Sequence, residues 1–290
     1  MTDPGDAPLT PVEALTPMDA TAEVLEAQRA RHPIALIVAV SGASELVGKR
    51  VVIRQAKGGT KRLVGSFGDA DFDDAALALG TQRIEQRRAP KEGVHELKST
   101  SGSTIRVYVE AHHPQPDLVI VGAGHIAQPL CAMGAVMGFR VIVVDDRPDF
   151  ATRDRFPEAD RVVRVDFRDP FADIPIHSSS YIVLVTRGHK YDFECLRHLL
   201  KTEVEPPYVG MIGSRRRIRA AFSQLQGEGM PKGRLSRIRA PVGLDIGAET
   251  PIEIAVAVAA EIILQWGGGT GAPLAEQERI LERFFKGNEF

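Results

Sequence analysis

A chain of 290 residues is long enough for two ordinary domains. Its 43% hydrophobic and 26% charged content suits a soluble globular protein rather than a disordered or fibrous one. A formal net charge of −2 supplies no global field to gather nucleic acid, and two cysteines, Cys131 and Cys195, without a C-x-x-C pair point to reduced core thiols and no zinc site.

Met1–Asp19 carries Pro4, Pro8, Pro11 and Pro17 with few large apolar residues, and reads as a flexible arm. It has no basic segment leading into an apolar one, so no secretory signal is expected. The most apolar helical stretch, Ile254–Leu264, is too short to span a bilayer and carries Glu261. The expectation is a cytoplasmic protein without membrane insertion.

Ala20–Arg31 reads as a short helix. Ile34–Val40, Arg50–Gln55 and Lys61–Ser66 read as strands, the last two joined by a turn at Lys57–Thr60. Asp69–Leu79 reads as a helix whose acidic first turn suits the helix dipole. Val94–Leu97 and Thr104–Glu110 form a second hairpin. Residues 20–113 are therefore expected to make a small α+β domain, with His112–Pro116 as a solvated linker.

The most informative stretch follows. Leu118–Val121 is an unbroken apolar run, as in a strand covered on both faces. It ends in Gly122-Ala123-Gly124. A helical stretch runs from about His125 to Met137, and a second apolar run, Val141–Val144, ends in Asp145-Asp146-Arg147. Two such strands joined by one helix make a parallel crossover. The turn is G-x-G-x-x-A. Gly122 allows the tight turn, Gly124 lets backbone approach a pyrophosphate, and Ala127 lets the helix sit close to the strands. A helix N-terminus there favours an anion, with His125 beside it. Asp145 stands where an acid binds adenosine ribose hydroxyls, which favours NAD over NADP, and Arg147 is placed to accommodate a phosphate.

Further strands are expected at Arg161–Val165, Tyr181–Val185 and Tyr208–Ile212, and a short sixth at Ser236–Arg239. Helices are expected at Tyr191–Leu200, Arg215–Leu225 and Pro251–Gln265, the last with Thr250 as N-cap and Pro251 at its first position. The fold class is α/β: a Rossmann-like, doubly wound parallel sheet over residues 114–266, preceded by the smaller α+β domain and followed by a tail, 267–290. In such a sheet ligands bind outside the carboxyl ends of the strands. Polar residues cluster at those ends: Gly122–His125, Asp145–Arg147, Thr186–His189 and Gly213–Arg217. Between Gly213 and Ala240 eight basic residues face one acid, Glu228. Ser214, Arg215 and Arg216 at a helix start match a phosphate, with Arg217 and Arg219 turned elsewhere. No aromatic residue interleaves the arginines, which argues against RNA. His189 is a candidate for phosphate, metal or proton chemistry. No catalytic set and no metal ligand is assigned.

Several segments together resemble the XdhC/CoxI family of xanthine dehydrogenase accessory factors: DLVIVGAGHIAQPL, VIVVDDRPDFATRDRFPEAD, TRGHKYD, YVGMIGSRRR and APVGLDIGAETPIEIAVAVAAEII. The resemblance covers Asp117–Trp266. It implies a maturation factor for a molybdenum hydroxylase that binds the molybdenum cofactor, as molybdopterin or its cytosine dinucleotide. It also implies aid to sulfuration by a cysteine desulfurase and delivery to the apoenzyme. A homodimer is a further expectation. The family pattern S-x-G-G-C, and a later C-G-G, correspond here to GSFGDADFDD and STSGSTIRV. Asp71 stands in place of the first cysteine and Ser101 in place of the second. Neither residue does thiolate chemistry, so a direct sulfur relay is not expected of this chain. The reading favours a cofactor-binding chaperone without catalysis of its own. The alternatives are an NAD(P)-dependent oxidoreductase, against which the lack of a Tyr-x-x-x-Lys pair weighs, and a nucleotide-sensing scaffold.

Overall fold

A computed structural model describes residues 15–55, 60–85, 92–202 and 204–278. The turn expected at Lys57–Thr60 falls largely outside them. The chain divides after Pro114 into two compact units.

In the first unit, α1 (Pro17–Arg29) starts inside the segment read as an arm. Thr16 and Asp19 form a reciprocal capping box, with Pro17 in the first turn, so the start is set by local chemistry that a proline count obscures. Strands β1 (Ile34–Ser41), β2 (Arg50–Gln55) and β3 (Lys61–Val64) follow, then α2 (Ala70–Glu85), β4 (Glu92–Lys98) and β5 (Thr104–His112). The sheet is antiparallel, in the order β3-β2-β1-β5-β4. Alternation along the strands feeds two faces. Ile37, Val51 and Ile53 share a buried cluster with Phe72 and Ala76 of α2. Ile34 and Val52 share another with Ala20 and Ala27 of α1. Two helices therefore sandwich this sheet. His112 ends β5 and pairs with Glu110 at 3.1 Å, and His113 meets the Ile84 carbonyl at 3.0 Å. The two histidines are thus engaged with protein groups, not solvated as expected.

The second unit begins with β6 (Asp117–Val121), α3 (Ala127–Val136), β7 (Arg140–Asp145), β8 (Arg161–Arg164) and β9 (Ser180–Leu184). It continues with α4 (His189–Lys201), β10 (Tyr208–Met211), α5 (Arg215–Gly227), α6 (Lys232–Leu235), α7 (Pro251–Gly267) and α8 (Leu274–Glu278). Five strands form a wholly parallel sheet in the order β10-β9-β6-β7-β8. The unbroken apolar runs are explained by burial on both faces. Leu118, Ile120, Val141 and Val143 pack with residues of α3 and α7. Val119, Val121, Ile142 and Val144 pack with residues of α4 and α5. This is a Rossmann-like three-layer fold. The sixth strand expected at Ser236–Arg239 is not one. Arg239 makes a single parallel bridge to Gly210, because Lys232–Leu235 turns into a short helix just before it. Among the described residues no helix is long and apolar enough to cross a membrane.

The amino end of this sheet is closed by polar groups. Asp117 is fully buried and takes both nitrogens of the Arg140 fork, at 2.9 and 2.6 Å. His177 Nε2 lies 3.0 Å from the same carboxylate. The Ser179 N–H donates to Nδ1 at 3.2 Å, which puts the neutral imidazole's proton on Nε2, aimed at Asp117. Removing the acid leaves the Arg140 fork and His177 Nε2, both on partly exposed side chains, without their buried partner. Asp117→Ala is expected to cost about 3–5 kcal/mol, read as a lower urea midpoint. A change below about 1 kcal/mol would mean that water replaces the carboxylate.

Candidate functional site

The sheet order reverses direction at β6, which lies between β7 and β9. That reversal opens a crevice at the carboxyl ends, where ligands bind in open α/β sheets. Gly122 sits at its base with φ +110°, and a Cβ there would lie 2.6 Å from the Val185 carbonyl oxygen. Glycine is required by both the backbone conformation and the closeness of the next strand. Gly124 differs, since a Cβ there would meet nothing within 4 Å. Its freedom faces open space rather than protein. Helix α3 starts at Ala127, two residues later than expected, and Ala127 is buried against the sheet. Its N-cap, Ile126, supplies no side-chain hydrogen bond, and Gly188 at the start of α4 supplies none either. The helices on both sides of the crevice thus present uncapped N-termini, which attract anions. His125 and His189 are exposed there.

Asp145 ends β7 as expected, but its carboxylate points into the protein and is 1% exposed. Oδ2 accepts the Ala123 N–H at 2.8 Å and Arg147 Nη2 at 2.9 Å. Oδ1 accepts the Arg147 N–H at 3.0 Å and Arg147 Nε at 2.8 Å. Four donors fill the four acceptor directions of a carboxylate. Nothing is left for a ribose hydroxyl in this arrangement. Burial pushes the Asp145 carboxyl up, but the Arg147 fork and the N–H groups of Ala123 and Arg147 outweigh it and hold the group well below the usual carboxylate range. Asp145 therefore pins the glycine turn. Arg147 in turn lies 3.6 Å from the Phe150 ring centre, and Arg155 lies over the same ring at 4.8 Å, a stack that stiffens the lip of the crevice.

Asp146 is half-buried and holds Arg187 through two contacts, at 2.5 and 2.8 Å. Asp146 follows β7 and Arg187 follows β9, so this pair reaches across the carboxyl end of β6. The Arg187 guanidinium also rests over the Tyr191 ring at 4.2 Å. A ligand lying across the turn meets this bridge.

Thr186 is buried and spent internally. Its hydroxyl lies 2.6 Å from Asp192 Oδ1 and accepts Arg217 Nη2 at 3.0 Å. Asp192 is 0% exposed and also takes Arg217 Nε at 2.7 Å. Burial raises Asp192 despite the opposing pull of Thr186 and Arg217. Ser214 serves as N-cap of α5, its hydroxyl accepting the Arg217 N–H at 3.3 Å. Arg215 and Arg216 are exposed at the end of β10, two strand spacings or about 10 Å from β6. Helix geometry thus reverses one expectation. Arg217, read as turned away, is the arginine joined to the strand ends. Asp192 and Arg155 were missed as site residues, whereas Arg187 and Arg217 stood in the strand-end clusters, Arg217 as a control rather than as a contact. One signal was available for Arg217: it extends the row Ala221 and Leu225, both buried, by one step of four.

The segment Ala240–Thr250 crosses the end of β10. Val242 N–H donates to the Met211 carbonyl at 3.0 Å. Glu261 of α7 accepts both the Tyr208 hydroxyl, at 2.6 Å, and the Gly243 N–H, at 2.9 Å. Cys131 and Cys195 are buried free thiols, and burial foremost pushes Cys131 up to about 11. In the first unit, Asp71 accepts the Thr100 N–H at 2.8 Å and the Thr100 hydroxyl, while Ser101 meets Ser99 at 2.6 Å. The two places read as former cysteine positions are therefore neighbours in space. No cluster of three or more metal-ligating side chains occurs among the described residues.

A family model described as the XdhC Rossmann domain matches residues 118–262. A protein of Bacillus subtilis (strain 168) described as a probable xanthine dehydrogenase subunit is 34% identical over 180 residues, 60% of this chain and 52% of that protein. An uncharacterized protein, YqeB, of Escherichia coli (strain K12) is 27% identical over 247 residues, 82% of this chain and 44% of that protein. The chain spans about half the length of these curated relatives. A solved structure described as a xanthine dehydrogenase (BH1974) from Bacillus halodurans covers 88% of this chain and 98% of that one, at 21% identity and a TM-score of 0.48.

Proposed function

The chain belongs to the XdhC family, whose Rossmann domain matches residues 118–262, and from that premise we propose that it is an accessory factor for a molybdenum hydroxylase of the xanthine dehydrogenase type. In this reading the crevice at β6 binds the phosphorylated organic part of the molybdenum cofactor, as molybdopterin or its cytosine dinucleotide. The observation that carries it is the open space at Gly124 beside the uncapped start of α3, where a phosphate gains N–H donors and a favourable dipole. The chain's residues fit that phosphate. They offer the metal no accessible thiolate, since both cysteines are buried and burial keeps Cys131 protonated. Sulfur for the cofactor would therefore come from a cysteine desulfurase without passing through these thiols. The chain's own part is to bind, orient and release the cofactor to the apoenzyme. Protein contact is favoured by the exposed apolar side chains Val136 and Val256, on α3 and α7, and a second copy or the client are the candidate partners. A cytoplasmic location follows from the client.

Gly124→Val tests this directly. A side chain there meets no protein atom, so folding should be unchanged, while the phosphate path is blocked. Co-expressed with a molybdenum hydroxylase apoenzyme, wild type should retain a phosphorylated pterin by mass analysis and activate the client. The folded variant should do neither. Equal pterin retention by both proteins, or none by wild type, defeats the proposal.

A further inference from the structure

A cavity of about 490 Å³ lies at the amino end of β10, at the far end of the sheet from the crevice. It is of the size that takes a small ligand. Its walls are the last turns of α4, the connection from α4 into β10, and Ser236–Arg239, which runs beside β10 through the bridge from Arg239 to Gly210. The floor is apolar. Leu196, Leu199 and Ile238 are buried there, and Leu200, Val204 and Val209 complete it. None of the crevice residues described above lines it.

Four charged side chains line this cavity: Glu205, Arg234, Arg237 and Arg239. Arg237 answers Glu205. Arg234 is taken up by the Leu200 and Thr202 carbonyls at the end of α4, where a cation offsets the negative end of the helix dipole. Arg239 is different. The residue is exposed, its guanidinium donates to the Gln265 amide oxygen at 2.9 Å, and no acid pairs with it among the described residues. Glu261, one turn before Gln265 on α7, is engaged by the Tyr208 hydroxyl and the Gly243 N–H.

One unanswered cation thus stands at the rim of an apolar pocket. We propose that this cavity binds a small amphipathic monocarboxylate, its carboxylate on Arg239 and its apolar body on the leucine-lined floor. A guanidinium fork matches a carboxylate in shape as well as charge. A dianion meets only one free cation here, and a neutral apolar ligand leaves the guanidinium without an anion. The inference is independent of the crevice reading and adds a second site to the chain.

Octanoate is a suitable probe, with hexanoate and 1-octanol for comparison. Calorimetric titration of the full chain should show saturable binding of octanoate. Hexanoate should bind about tenfold more weakly, the scale of two buried methylenes. Octanol should also bind about tenfold more weakly, the scale of one charge-assisted contact. In Arg239→Gln, octanoate should fall to the affinity of octanol while octanol is unchanged. Ser236→Trp, at an exposed residue of the lining, should fill the cavity and remove binding of both. Arg219→Gln, at an exposed residue of α5 outside the cavity, should bind octanoate as wild type does. The assignment fails if wild type shows no saturable octanoate binding, or if Arg239→Gln keeps the preference over octanol. It fails equally if folded Ser236→Trp binds octanoate as wild type does, or if Arg219→Gln weakens binding as much as Arg239→Gln. Each failure leaves the crevice reading standing, since no pterin or nucleotide enters the measurement.

Discussion

Asp145→Ala is expected to lose about 3–5 kcal/mol of stability and all measurable nucleotide or pterin binding. The residue holds the Ala123 N–H and the Arg147 fork at once, so its removal frees the glycine turn and leaves a partly buried guanidinium unpaired. A ribose-reading acid would behave differently, with weaker binding and near-normal stability. Chemical denaturation followed by ligand titration separates the two. A variant as stable as wild type would show that the turn is held by backbone alone. The pH dependence carries the same signature. Arg147 and the two N–H groups hold the Asp145 carboxyl below its ordinary value against the opposing effect of burial. Its stabilisation is thus fully present above the unfolded value of about 3.9. It is lost only as pH falls through the lower folded value. In Asp145→Asn this part of the acid-side decline should be absent.

Arg217→Ala is expected to be the second large effect, and Arg215→Ala with Arg216→Ala its counterpart. Arg217 is the charged partner of a fully buried carboxylate, Asp192, and also reaches the Thr186 carbonyl at 3.0 Å. Its loss should cost about 3–5 kcal/mol, the scale for stranding a buried charge. Burial already raises Asp192, so in the variant the group titrates higher still, and stability should rise as pH falls through that value. The exposed pair should do the reverse. The Arg215→Ala, Arg216→Ala variant should change stability by less than about 0.5 kcal/mol. It should weaken binding of a phosphorylated pterin by about a hundredfold or more if both touch phosphate. Melting curves and titrations on the same preparations decide it. Equal destabilisation by all three substitutions would mean that α5 is held by its charge as a whole. No effect of the exposed pair on binding would make that pair a solvated surface.

What the sequence by itself determined is everything carried by neighbours along the chain. Unbroken apolar runs at Leu118–Val121 and Val141–Val144 announce doubly covered strands. The G-x-G-x-x-A turn announces the crossover, and Thr250-Pro251 announces the start of α7, where Glu253 completes a capping box. These signals are local because strand pattern, turn conformation and helix capping each involve only a few consecutive residues. Tertiary structure alone decided which polar groups remain free to meet a ligand. Asp145 finds Ala123, 22 residues back, Arg217 finds Asp192, 25 residues back, and Asp71 finds Thr100, 29 residues on. Thr186 and Ser214 are likewise consumed by protein partners, while Arg164 and Lys190 have no acidic partner among the described residues. A carboxylate or a hydroxyl carries no mark in the sequence of whether its lone pairs will be filled. That depends on which donors folding brings within about 3 Å, and strands adjacent in the sheet need not be adjacent in the chain.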